Sequence, residues 1–149
     1  MQRPSSRIPA ILLATALALG ASACSGGDDS GISKEEFLEK AAAICEDGRA
    51  RIEEEGQQLD DSDPGAMGDY VQFVSAEVLD EIDQIRDLGF PEDGARTLDE
   101  AFRVYESRFS TWQEDPSQIG QAAGDKQLEA AGKALQEYGL DACGANVGN

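Results

Sequence analysis

Apolar side chains recur along this chain at intervals of three and four residues over four separate stretches. In the first, Phe37, Ala41, Ile44, Gly48, Ile52 and Leu59 fall at such spacings or their sum, with Cys45 beside them. That is the stripe of an amphipathic helix. Ser33-Lys34-Glu35-Glu36 ahead of it reads as a capping box: the Ser33 hydroxyl accepts from the Glu36 N–H, and the Glu36 carboxylate reaches back to the Ser33 N–H. The pattern predicts a helix from Ser33 to about Leu59. DDSDPG at 60–65 is a turn cluster, with Asp63 as a cap and Pro64 at the first position of the next helix.

The second stripe is Val71, Val74, Val78, Ile82, Ile85 and Leu88, with Gly89 placed to end it. The third, after a break at Gly89-Phe90-Pro91, is Ala95, Leu98, Phe102, Tyr105, Phe109 and Trp112, and Pro116 disfavours helix at Asp115. The fourth, Ile119, Ala123, Leu128, Ala131, Leu135 and Tyr138, is weaker. Gly120, Gly124 and Gly132 each cost about 1 kcal/mol relative to alanine, so its start frays or forms a separate piece. No segment alternates with period two over a strand's length. The expected fold is all-α, an up-down four-helix bundle over residues 33–144.

The cysteines bear on helix number. Cys24, Cys45 and Cys143 are an odd count, and if Cys45 pairs with Cys143 the residue left over is Cys24. Cys45 lies twelve residues into the first helix, about 18 Å from its start at ~1.5 Å per residue. Gly139 to Cys143, extended at ~3.3 Å each, climb about 16 Å back from the end of a fourth helix. Three helices would leave the C-terminus at the wrong end, so this pairing favours an even number, closed by one disulfide.

Ahead of the bundle, Arg3 and Arg7 precede Ile8 to Ala21, an apolar run interrupted only by Pro9, Thr15 and Gly20. It is shorter than the ~20 residues of a membrane span and reads as an export signal over 1–23. Ala21-Ser22-Ala23 before Cys24 suits an ordinary cleavage site, while a cysteine at the new N-terminus suits lipid attachment. Ala21 stands where a lipoprotein signal usually has leucine. Acylation of Cys24 accounts for the odd cysteine; a free or intermolecularly paired thiol is the alternative. Residues 24–32 then form a flexible tether and 145–149 a disordered tail.

Charge narrows the partners. The chain has 12 basic and 30 acidic residues; the signal removes two basic residues and no acid, so the mature charge moves from −18 to −20. Such a surface repels nucleic acid and anionic lipid. Histidine is absent altogether, which removes the commonest general base, metal ligand and nucleophile partner. Only Tyr105 or Tyr138 could stand in as a haem ligand, and no cofactor is expected. The acids of DDSDPG lack the spacing of a calcium loop and read as a capped turn, and Glu53-Glu54-Glu55 as a solvated face. Glu36–Lys40, Asp47–Arg51, Glu92–Arg96, Asp99–Arg103 and Glu129–Lys133 are spaced for ion pairs along a helix. The second helix, with six acids from Asp69 to Asp87 against Arg86, is the most negative face.

Phe102, Tyr105, Phe109 and Trp112 are core by their spacing and are also the residues able to line a pocket for an apolar ligand. No glycine-rich phosphate loop, G-x-S-x-G elbow or C-x-x-C is present.

The signal ending in Cys24, the glycine-rich tether, ISKEEFLEKAAAICEDGRARI at 32–52 and YGLDACG at 138–144 together resemble small exported lipoproteins of actinobacteria. That group has a similar A-x-x-C in the first helix and a Y-G-L-x-x-C-G ending. The resemblance supports the Cys45–Cys143 pairing and implies a helical fold at the extracytoplasmic face of the cell membrane; it carries no catalytic residues. The expectation is a lipid-anchored, non-catalytic module that binds an envelope protein or another unknown ligand. The different-class alternative is a carrier holding a small apolar molecule between the second and third helices.

Overall fold

A computed structural model of the chain describes residues 31–60 and 62–144. The signal, Cys24, most of the tether and the tail at 145–149 lie outside the described residues. Within them the fold is all-α, with no strand among the described residues. Its helices are α1 (Lys34–Gln57), α2 (Ala66–Asp87), α3 (Ala95–Glu114), a 3₁₀ segment (Pro116–Gln121), α4 (Lys126–Tyr138) and the terminal turn α5 (Asp141–Gly144).

The helix ends follow local chemistry, with some departures from the sequence expectation. Ser33 Oγ accepts from the Glu36 N–H at 3.2 Å, so half of the capping box forms. The Glu36 carboxylate turns instead to Lys40 Nζ at 2.7 Å. Asp63 does not cap α2: its side chain accepts from the Gly65 N–H, and the helix starts two residues beyond Pro64, at Ala66. Asp63 and Pro64 therefore shape the turn rather than the helix. At the end of α2, Gly89 adopts a φ of +76°, the left-handed conformation that glycine supplies at helix ends.

Consecutive helices pack on one another, α1 on α2, α2 on α3 and α3 on α4, and α5 folds back onto both α4 and α1. Cross-helix bonds link Arg51 to Glu77, Arg86 to Glu106 and Arg108 to Gln127. A second contact at each junction, Gly56 against Tyr70, Gln72 to the Gln113 carbonyl and Tyr138 to Asp93, runs the opposite way along the partner helix. Neighbours are thus antiparallel, consistent with an up-down four-helix bundle. Of the five expected pairs along single helices, Glu36–Lys40 and Asp99–Arg103 form. Arg51 instead crosses to Glu77 and Lys133 turns to Glu137.

One end of the bundle is closed tightly. Phe37, fully buried, meets Phe90 and Tyr138 edge-on at 5.9 and 6.4 Å, and Phe90 stacks on Phe102 at 5.9 Å. Lys34 Nζ sits 4.1 Å over the Tyr138 ring. Burial, with the Asp93 carboxylate accepting its hydroxyl bond, pushes the Tyr138 phenol up to about 12. Cys45 and Cys143 are joined, with their Cα atoms 5.2 Å apart. The route to the bond differs from the extended climb expected of residues 139–143. Gly139, at φ +114°, ends α4 with Leu140 N–H donating to Leu135 O at 2.9 Å and Gly139 N–H to Gln136 O at 3.0 Å. This paired capping reverses the chain, inserts the fully buried Leu140, and lets a helical turn rather than a strand carry Cys143 to α1.

Candidate functional site

The opposite half of the bundle does not close. α1 has 24 residues and α4 only 13, about 36 Å against about 20 Å. Pro116 and Gly124, the latter at φ +88°, stop a full-length fourth helix. The intervening 3₁₀ segment packs on α2 and α3 rather than on α1. No Cα pair between α1 and α4 comes within 8 Å. Gly120 and Gly124 face open space.

The space left behind is a cleft of about 890 Å³. Its floor is the seam between α2 and α3, with Val71, Val74 and Val78 on one side and the α3 aromatics on the other. One wall is α1 from Cys45 to Glu53, the other the 3₁₀ segment and α4, and the disulfide stands at its closed base. That volume lies within the range of small-molecule sites, which are mostly apolar with a few polar groups.

Phe102, Tyr105, Phe109 and Trp112 all line the cleft while being buried. They form a rigid wall: Tyr105 stacks on Phe109 at 5.9 Å, and Phe109 meets Trp112 edge-on at 4.9 Å. The cleft borders both α2 and α3, the helices between which the sequence placed a carried ligand, and reaches α1 and α4 as well. Those two helices pack on each other and supply the floor, and the open space lies above their seam, flanked by α1 and α4.

Two buried polar groups in the cleft have no hydrogen-bond partner among the described residues. Glu81 is 6% exposed, yet its Oε1 makes no hydrogen bond. Its carboxyl fits against Gly48 of α1, where a Cβ would lie 1.6 Å from that oxygen. Burial is the main reason its pKa rises to about 7; Arg51 pulls it down, and Glu77 and Asp80 push it further up. Arg51 is itself held by Glu77 at 2.5 Å. Tyr105 is 3% exposed, its hydroxyl equally without a partner, and burial pushes its pKa up to about 12. Buried polar atoms are normally satisfied, so two in one cleft mark it out.

Glu81 corrects the sequence reading of helix 2. It is one of the six acids that make this helix the most negative face, but it is buried. It stands three residues after Val78 and four before Ile85, on the apolar stripe. A charged residue there, with a glycine on the facing stripe, was the available signal.

Elsewhere the acids serve the turns. Asp60 accepts from the Ser62 N–H and hydroxyl, which hold its carboxyl below the usual range. Asp125 caps α4 and pairs with Arg108, which likewise depresses it. Among the described residues, no group of three or more cysteine and carboxylate side chains is arranged to hold a metal ion, and no helix is long and apolar enough to cross a membrane. No protein-family model matches the chain, and no curated protein or solved structure matches it.

Proposed function

We propose that this chain is a lipid-anchored binding module of the extracytoplasmic membrane face, and that its cleft carries a small, mainly apolar molecule. The observation that supports a carrier over a docking module for a protein partner is the cleft itself. A bundle built only to present its surface has no need to leave about 890 Å³ beside Phe102 and Trp112. An open apolar cavity forgoes the burial and dispersion that a filled core provides, and a ligand would restore both.

The anchor rests on the sequence. A domain of charge −20 is repelled by anionic lipid, so attachment falls to acyl chains on Cys24. A single chain binds membranes only marginally, and firm attachment takes the several chains of a bacterial lipoprotein. Binding is the proposed activity: the buried part of the cleft presents the Glu81 carboxyl and the Tyr105 phenol on apolar walls, with Glu53, Asp125 and Glu129 at its border.

Trp112 is the chain's one tryptophan and lines the cleft, so its emission reports occupancy. Titration with a neutral alkyl alcohol such as decanol, below its solubility limit, is expected to change that emission saturably with one-site behaviour. Emission that stays constant, or drifts without saturating, would count against the carrier reading.

A further inference from the structure

The carrier reading leaves open what the ligand's polar end is, and the two unpartnered groups bear on that; the inference rests on the cleft being a ligand site. Cross-helix contacts place these groups at one level. Gly48 faces Glu81 across α1 and α2. Across α2 and α3, Arg86 reaches Glu106 while Gln72 reaches the Gln113 carbonyl, which brings Glu81 to within about a turn of Tyr105. Across α3 and α4, Arg108 reaches Gln127, which puts Glu129 on the far lip near the same level.

The polar capacity at that level is mostly for accepting. A carboxylate only accepts, and a phenol both accepts and donates. The remaining charges that border the cleft are Arg49, Glu53, Asp125 and Glu129. Arg108 already pairs with Asp125, and Arg51, whose charge acts on Glu81, is engaged by Glu77. A ligand anion would therefore meet acids, with Arg49 the one border cation outside an ion pair among the described residues. The floor carries the aromatic rings of Tyr105, Phe109 and Trp112, and an aromatic ring attracts a cation placed over its face.

We infer that the cleft selects a lipophilic amine, with the ammonium donating to the Glu81 carboxylate at the level of the Tyr105 hydroxyl and the apolar body lying along Phe109, Trp112 and the α2 valines. Glu81 is then a binding residue whose buried charge is compensated by the ligand. Its raised pKa in the empty cleft fits this role, because an unpaired carboxylate in an apolar site resists ionisation.

The test uses three probes of equal tail length, decylamine, decanol and decanoate. Each is titrated calorimetrically at about pH 8 into the full extracytoplasmic chain and into its Glu81→Gln variant. A charge-assisted bond implies that the amine binds wild type about tenfold or more tighter than the alcohol, with decanoate weakest. In E81Q the advantage of the amine should collapse. The variant keeps nearly all of the acidic surface, so adhesion of the amine to that surface would survive the substitution and overturn the inference. Equal binding of amine and alcohol to wild type, or tightest binding of decanoate, would also overturn it while leaving the carrier reading intact. Binding of none of the three would remove the carrier reading itself. Should E81Q fail to fold, the ranking of the three probes on wild type decides alone.

Discussion

Replacing Glu81 by glutamine should change how stability depends on pH, with a sign opposite to that of ordinary carboxylates. In the folded chain, burial moves this carboxyl from 4.5 up to about 7. Below about pH 4.5 folded and unfolded chains both hold the proton. Between there and pH 7 the unfolded chain releases it while the folded chain keeps it, so the unfolded state binds fewer protons and stability falls as pH rises. At about 1.4 kcal/mol per pH unit the loss totals about 3 kcal/mol, and it levels off above pH 7. Asp60, Asp115 and Asp125, depressed by Ser62, by Ser117 with Gln118, and by Arg108, act the other way. Their contributions are present above the ordinary aspartate value of 3.8 and fade as pH falls below it, outside this window. Self-repulsion of the acidic chain also grows with pH, but wild type and E81Q share it. Urea unfolding of both proteins, followed by far-UV circular dichroism from about pH 4.5 to 8, isolates the Glu81 contribution as a difference. E81Q should gain about 3 kcal/mol on wild type across that range and be the more stable protein at the upper end. Parallel profiles would mean that Glu81 is not buried against Gly48 and would refute the reasoning.

Three other outcomes are expected. Reducing the Cys45–Cys143 bond, which closes a 98-residue separation, should cost up to about 4 to 5 kcal/mol on the chain-entropy account; urea unfolding with and without reductant measures it, and a loss under about 1 kcal/mol would contradict that account. Gly139→Ala forces a side chain into φ +114° and to 3.2 Å from Leu38, so it should lower stability by about 1–3 kcal/mol in thermal unfolding. Cys24→Ala should release the protein from membranes on cell fractionation, and unchanged membrane association would count against the anchor.

The helices were legible because their faces repeat at a fixed period: Phe102, Tyr105, Phe109 and Trp112 fall on one stripe, and burial follows. The disulfide was legible in part, from the odd cysteine count and from the resemblance at 138–144, and the pairing in turn favoured an even helix count. The details at the ends were less so. Asp63 bonds Gly65 within its own turn, a local alternative that competes with capping, and the Gly139 cap folds the last residues into a turn where distance alone suggested an extended segment. The cleft was the least legible feature. A stripe says that a face is buried but not against what, and the gap arises from the unequal lengths of α1 and α4 set by Pro116 and Gly124. Glu81 was hidden by counting charge along a helix rather than around it.

Native mass spectrometry of the full chain, taken from its own membranes, tests the cleft as a ligand site most directly. The measurement pairs wild type with Val74→Trp, which places an indole on the cleft floor. Wild type should carry a small molecule of discrete mass that the variant lacks. A bare wild-type mass, or the same adduct on Val74→Trp, would contradict the carrier reading.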